Sequence, residues 1–150
     1  MNGAEILIKS LEEKQIKIIA GIPGGSNLPI YDALAKSNIR HILARHEQGA
    51  AFIAGGMART TGKTAVCLAT SGPGATNLLT ALADCKADSI PVIAITGQVP
   101  SSLLGKDSFQ EVDIVSSALP LCKHCFFVSK TEEIPHIIDE AFRIAGTGRR

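Results

Sequence analysis

The sequence lacks a dominant charge. Fifteen lysines and arginines stand against fourteen aspartates and glutamates, leaving +1 at pH 7, a balance that excludes an electrostatic grip on nucleic acid or an anionic membrane. It also lacks an apolar run of bilayer length, and its opening, MNGAEILIKSLEEK, carries acids too early for a signal peptide. The expectation is a cytoplasmic protein with no nucleic-acid or membrane partner. No internal repeat or low-complexity segment is present. Cysteine is scarce, at Cys67, Cys85, Cys122 and Cys125, and a cytosolic setting disfavours disulfides. Cys122 and Cys125 have CxxC spacing, but LCKHCFFVSK reads as a buried strand. Alternation along a strand sends residues three apart to opposite faces, so core cysteines are expected here rather than a zinc or redox pair.

What is present is a regular alternation of strand and helix over 150 residues, enough for one domain with a sizeable core. Ala4, Leu7, Ile8 and Leu11 share a helical face, and IKIIAGI is a β-branched run closed by Ile-Pro-Gly-Gly. A helix is expected over 27–35, a strand at IRHILA, a helix over 47–60, buried strands at TAVCLAT and SIPVIAITG, and a helix between these two ending near 84. After an irregular stretch, QVPSSLLGKDSFQEVD, a strand at KHCFFVS and a helix over 132–145 complete the pattern, with Thr131 as N-cap and Ile134, Ile137, Ile138, Ala141 and Ile144 as its apolar stripe. Continuous apolar strands between amphipathic helices predict an α/β, doubly wound, mostly parallel sheet with helices on both faces. Such folds bind ligands beyond the carboxyl ends of the strands, which makes GIPGGS, TSGPGATN and TGQVPSS the informative loops.

The stretch RHEQGAAFIAGGMARTTGKT, residues 45–64, ends in a false phosphate signal. A Walker loop needs Gly, four residues and then Gly-Lys-Ser/Thr, between a strand and a helix. Here Gly56 and Gly62 are separated by five residues and GKT leads from a helix into a strand, so both spacing and order fail. A helix closed by Gly62 is the better reading. The zinc-protease pattern HExxH fails because position 50 is alanine. Gly72 and Gly74 give only part of a GxGxxG turn, although such a turn lets backbone approach a flat ligand closely. Glu47 is then either a first-turn acid favoured by the helix dipole or, among small uncharged loops, a carboxyl suited to share a proton with a ligand.

GIPGGSNLPIYDAL, RHEQGAAFIAGGMARTTGK, TSGPGATN, DSIPVIAITGQVPSSLLGKDSFQEVD, KHCFFV and AGTGR, in this order, resemble the N-terminal, pyrimidine-binding domain of thiamine-diphosphate enzymes, and most of all that of acetolactate (acetohydroxyacid) synthase large subunits. The resemblance covers nearly the whole chain. It implies that Glu47 hydrogen-bonds the pyrimidine nitrogen N1′ of thiamine diphosphate, favouring the imino tautomer of the 4′-amino group, and works as a proton relay rather than a nucleophile. It further implies that Thr70, Pro73 and Asn77 line the pyrimidine pocket, that Pro23 and Gly24 form the first strand-to-helix turn beside it, and that Gln110 lies near the cofactor and acceptor substrate. Gly25, Ser26, Pro100, Phe109 and Gln110 match a substrate channel, and Arg149 matches an arginine that contacts FAD. Ile22, Gly55, Met57 and Arg150 depart from the residues common in the family. Glu47 argues against glyoxylate carboligase, which generally lacks an acid there, and FQEVD favours the FAD-containing biosynthetic enzyme over the flavin-free catabolic one.

The implied reaction decarboxylates pyruvate on thiamine diphosphate and joins the two-carbon unit to a second 2-keto acid, giving acetolactate or acetohydroxybutyrate. The GDG…N motif that holds diphosphate and Mg²⁺ in this family does not occur in these residues. The expectation is therefore a piece, inactive alone, of a longer enzyme with a central FAD-type domain and a C-terminal diphosphate/Mg²⁺ domain. A homodimer or tetramer and a regulatory small subunit are the implied assembly. Two alternatives remain open at this stage: a different thiamine-diphosphate decarboxylase or acetyltransferase, and a non-enzymatic dimerisation module.

Overall fold

The structure, a computed structural model, describes residues 1–149, so Arg150 lies outside the described residues. Helix α1 (Gly3–Glu13) begins in a reciprocal cap: Asn2 Oδ1 accepts the Glu5 N–H, and Glu5 Oε2 accepts the Asn2 N–H, both at 2.9 Å. The cap satisfies two otherwise orphaned backbone donors and fixes where the helix starts. Strand β1 (Ile18–Gly21), helix α2 (Leu28–Leu34), strand β2 (Arg40–Leu43) and helix α3 (Glu47–Thr61) follow. Next come strand β3 (Ala65–Ala69), helices α4 (Pro73–Thr76) and α5 (Leu79–Ala87), strand β4 (Val92–Thr96), and helices α6 (Ile114–Ala118) and α7 (Ile134–Gly146). Gly62 closes α3 in the left-handed region at φ +70°, as expected of a C-terminal glycine.

All four strands are parallel, in the order β2-β1-β3-β4. Strand alternation on β3 splits the core into two layers. Val66 and Leu68 face Leu7, Ile8 and Leu11 of α1, Leu34 of α2 and Ile138 of α7. Ala65, Cys67 and Ala69 face Ala51, Ala54 and Ala58 of α3 and Ala81 of α5. Small residues on both sides let α3 lie close to the sheet, while the first layer is filled by larger aliphatic side chains. Burying each of Leu11, Ile19 and Leu68 completely contributes about 1.5–3 kcal/mol.

The structure corrects several expectations. SIPVIAITG is a strand, but β4 is half-exposed along its whole length, because it is the edge of the sheet and has β3 as its one partner. KHCFFVS forms no strand; Phe127 and Val128 are exposed. Its sequence satisfies the period of a strand without supplying a paired edge, and pairing is a non-local event. The helix expected before SIPVIAITG is two helices, α4 and α5, and α6 was not foreseen. Thr131 opens a short 3-10 turn (Thr131–Glu133) instead of capping α7, which starts at Ile134. Without the strand, the argument that separated Cys122 from Cys125 fails: the second thiol is close enough to act on the first. Among the described residues no group of three or more His, Cys, Asp or Glu is arranged to hold a metal.

Candidate functional site

The chain runs from β1 outward to β2 and then returns to place β3 on the other side of β1. The loops after β1 and β3 therefore diverge, which opens a crevice at the carboxyl ends of these two strands. Three loops meet there. After β1, the Gly24 N–H donates to Asn27 Oδ1 at 2.7 Å and Asn27 Nδ2 donates to the Ile22 carbonyl at 3.4 Å, so one fully buried amide sets the turn. Ser26 then crosses to the loop after β3: its N–H donates to Thr70 Oγ1 at 3.3 Å, its Oγ shares a hydrogen bond with Thr70 Oγ1 at 2.9 Å, and it accepts the Ser71 N–H at 2.8 Å. The third loop joins through the Gly97 N–H, which donates to the Ala69 carbonyl at 3.0 Å.

Glu47 comes from the far side of β1. It is the first residue of α3, where the helix dipole favours an anion. The preceding His46 caps the helix by accepting the Gln48 N–H on Nδ1 at 3.1 Å, which leaves the Glu47 carboxylate free to turn inward. Asn77, closing α4, donates from Nδ2 to Glu47 Oε2 at 2.9 Å. Oε1 accepts no hydrogen bond among the described residues and lies 3.3 Å from where a Gly74 Cβ would stand. That Cβ would also come within 2.7 Å of Thr70 Cγ2, a contact real Cβ atoms do not make, so position 74 must be bare. The result is a half-buried carboxylate with one oxygen oriented and the other available, beside exposed backbone and a buried threonine hydroxyl. Such an acid can accept or donate one proton to a flat polar group laid against the Gly74 backbone.

Gly72 precedes this floor at φ +58°, ψ −120°, a backbone that favours glycine. A side chain there would come within 2.5 Å of the Gln110 carbonyl oxygen, so Gln110 backbone occupies the space. Gln110 itself stands at φ +60°. The structure thus brings together Glu47, Thr70, Asn77, Gly24 and Ser26, with Gln110 pressed onto the same turn. It does not gather the others. Pro23, Pro73 and Pro100 are exposed, nothing lies within 4 Å of a Cβ built on Gly25, and Phe109 is 88% exposed. Arg149 lies exposed beyond α7 and makes no hydrogen bond or ion pair among the described residues. Ser26, expected to line a channel, also ties two loops together.

Asn27, Ser71 and Gly97 were missed by sequence reasoning. Asn27 offered a signal, because a polar residue just before an apolar helix is a turn-former. The other two act through contacts between loops that no local pattern reports. A concavity of about 450 Å³ lies elsewhere, between β4, α5 and α7, and none of Glu47, Thr70 or Asn77 lines it.

The family described as "Thiamine pyrophosphate enzyme, N-terminal TPP binding domain" matches residues 1–117. The chain is 62% identical over 148 residues to the acetolactate synthase isozyme 1 large subunit of Escherichia coli (strain K12), covering 98% of this chain and 26% of that protein. It is 56% identical to the probable acetolactate synthase large subunit of Methanocaldococcus jannaschii, covering 99% of this chain and 25% of the relative. Identity to the acetolactate synthase of Mycobacterium bovis is 55%, covering 99% and 24% respectively. The chain thus spans about a quarter of the length of the curated relatives it matches.

Proposed function

Because the chain belongs to the thiamine pyrophosphate enzyme family, as one of its N-terminal TPP binding domains, we propose that it is the pyrimidine-binding part of an acetolactate synthase large subunit. The observation that carries this reading is the Glu47 carboxylate, held by Asn77 on one oxygen and left open on the other beside bare Gly74 backbone. When bound, thiamine diphosphate supplies an electron sink that lets a 2-keto acid lose carbon dioxide. Glu47 holds a proton at the pyrimidine nitrogen and exchanges it there. Asn77 orients the carboxylate, and Thr70 and Gly74 form the floor on which a flat ring rests. The substrates under this reading are pyruvate and a second 2-keto acid, and the products are acetolactate or acetohydroxybutyrate, on the route to branched-chain amino acids.

The remaining parts of the reading concern what these residues do not build alone. Their His, Cys, Asp and Glu side chains form no donor set for Mg²⁺, so the metal and diphosphate are assigned to chain outside residues 1–149. Arg149, exposed beyond α7, would supply one contact to FAD, with the rest of that site assigned to chain outside residues 1–149. Exposed Leu28, Leu43 and Phe52 support assembly with a second copy, as a homodimer or tetramer. The printed names "large subunit" of the relatives support a small-subunit partner. No helix among the described residues is long and apolar enough to cross a membrane, in keeping with work in the cytoplasm.

The test uses the full-length protein with pyruvate, thiamine diphosphate, Mg²⁺ and FAD. Glu47→Gln and Glu47→Ala should each lower acetolactate formation by about 10²–10⁴-fold, the usual contribution of a positioned acid or base. Wild-type rates in both variants would remove Glu47 from the mechanism and the reading with it.

A further inference from the structure

Residues 105–111 have no regular secondary structure, yet three of them, Gly105, Asp107 and Gln110, stand in the left-handed region at φ +75°, +50° and +60°. Glycine takes up such backbone freely, but at Asp107 and Gln110 it persists only where the surroundings over-determine it. Here the determinant is a single side chain. Glu111 Oε1 accepts the Gly105 N–H, and Oε2 accepts the Ser108 N–H at 3.0 Å and the Ser108 hydroxyl at 3.2 Å. The Glu111 N–H returns to the Ser108 carbonyl at 2.9 Å. Beyond it, Gln98 Nε2 donates to the Val112 carbonyl at 3.1 Å, pinning the far end of the loop to the end of β4.

We propose that Glu111 is a positioning residue: its carboxylate knots residues 105–111 so that Gln110 is held against the Gly72 turn while Phe109 points outward. The proposal rests on the reading that the Gly72–Asn77 turn carries the cofactor ring, and it adds how the acceptor side of that site is placed. Two observations converge on it. The space a Gly72 side chain would need is filled by Gln110 backbone, 2.5 Å away, so the loop and the turn fit one another. Phe109, one residue earlier, is the most exposed large apolar side chain among the described residues, so the same loop that packs Gln110 inward presents its neighbour outward. The backbone N–H groups of Gly105 and Ser108 hold the Glu111 carboxyl below the usual carboxylate range, so the knot is intact near neutral pH. Glutamine cannot replace it fully, because its amide offers one oxygen and would turn an N–H₂ toward one of the donors.

A loop residue that places the acceptor, and takes no part in proton transfer at the cofactor, should act on substrate binding more than on turnover. In the full-length enzyme, Glu111→Ala should raise KM for pyruvate and for 2-ketobutyrate by roughly tenfold with kcat within about threefold of wild type. Glu111→Gln should fall between wild type and Glu111→Ala. Gly72→Ala should move KM in the same direction, and the double variant Gly72→Ala/Glu111→Ala should show less than the sum of the two effects, because both release the same contact. Unchanged KM in both Glu111 variants overturns the proposal, as does a fall in kcat at constant KM or full additivity with Gly72→Ala. Glu111 is half-buried in a loop outside the core layers, so its variants should fold and melt only slightly below the wild type. Glu47→Gln, measured alongside, separates the two readings: an inactive Glu47→Gln with indifferent Glu111 variants sinks the positioning role alone, whereas a fully active Glu47→Gln sinks the proposed function first.

Discussion

The carboxylate of Glu47 and the side-chain amide of Asn77 meet at 2.9 Å although thirty positions separate them. One belongs to the turn after β2 and the other to the turn after β3, and β1 lies between those strands in the sheet. The contact therefore bridges the carboxyl end of the central strand and closes one side of the crevice. It also fixes which carboxylate oxygen remains available. That relationship makes the site directional, and removing either partner has a foreseeable effect.

Asn77→Ala leaves Glu47 to rotate about its side-chain torsions with neither oxygen oriented. Hydrogen bonds to charged groups contribute about 1.5–3 kcal/mol, so acetolactate formation by the full-length protein should fall by roughly ten- to a hundredfold. Asn77→Asp should be worse, since it sets a second carboxylate against the first. Activity equal to wild type in Asn77→Ala would mean that the amide does not orient the acid.

Gly74, beside the Glu47 carboxylate, and Gly56, further along α3, should respond oppositely to the same substitution. Gly74→Ala drives a methyl into Thr70 and toward Glu47; overpacking of this kind costs about 1–3 kcal/mol, and thiamine-diphosphate affinity should drop. Gly56, within α3, has nothing within 4 Å of a built Cβ. Gly56→Ala should raise the thermal midpoint with binding unchanged, since alanine in a helix is favoured by about 0.5–1 kcal/mol. Calorimetry and cofactor titration on the two variants check both halves; a stabilising Gly74→Ala would contradict the packing described here.

The parts of the fold that depend on local period were legible in the sequence. Leu7, Ile8 and Leu11 on α1, the buried run of β3 and the glycine that closes α3 all follow from residue order alone. Glu47 was legible as the acid at the head of a helix, although the hydrogen bond that orients it was not, because Asn77 is distant in the chain. The same reason explains the failures. KHCFFVS has the composition of a strand but no partner edge, β4 loses its second neighbour for that reason, and Cys122 and Cys125 approach one another once the strand geometry is gone. The channel role of Ser26 is implied by the family resemblance alone, and only the position of Thr70 shows that its hydroxyl also ties two loops together.

The Glu111 knot should be pH-dependent, and the sign is fixed. Its folded-state pKa is lowered by the Gly105 and Ser108 N–H groups, so its stabilising effect is fully present above the ordinary glutamate value of about 4.3 and is lost as pH falls through the lower folded value. Amides of Gly105 and Ser108 should exchange slowly at pH 6–7 and lose protection on acidification below about pH 4, and Glu111→Gln should weaken that step. Exchange rates that ignore acidification in this window would separate the loop from its acid.

The cysteines give a final check on the core. Burial first, and then Cys85 and Cys122, push the Cys67 thiol up to about 12; burial, and then Cys125, push Cys122 up to about 11. The thiolate is the species that reacts with alkylating agents, and a thiol at 11 holds only about a thousandth of its population as thiolate at pH 8, against roughly a quarter for an unperturbed cysteine near 8.5. Cys67, with no exposed surface, should stay unmodified by iodoacetamide in the native chain until it unfolds. Cys122, half-exposed, should react slowly, and raising the pH from 8 to 10 should accelerate it by roughly a hundredfold. Mass spectrometry of the alkylated peptides reads each site separately. Rapid labelling of Cys122 at pH 8 would show that the segment after α6 leaves the groove beside β4, and that its thiol is not held where the structure puts it.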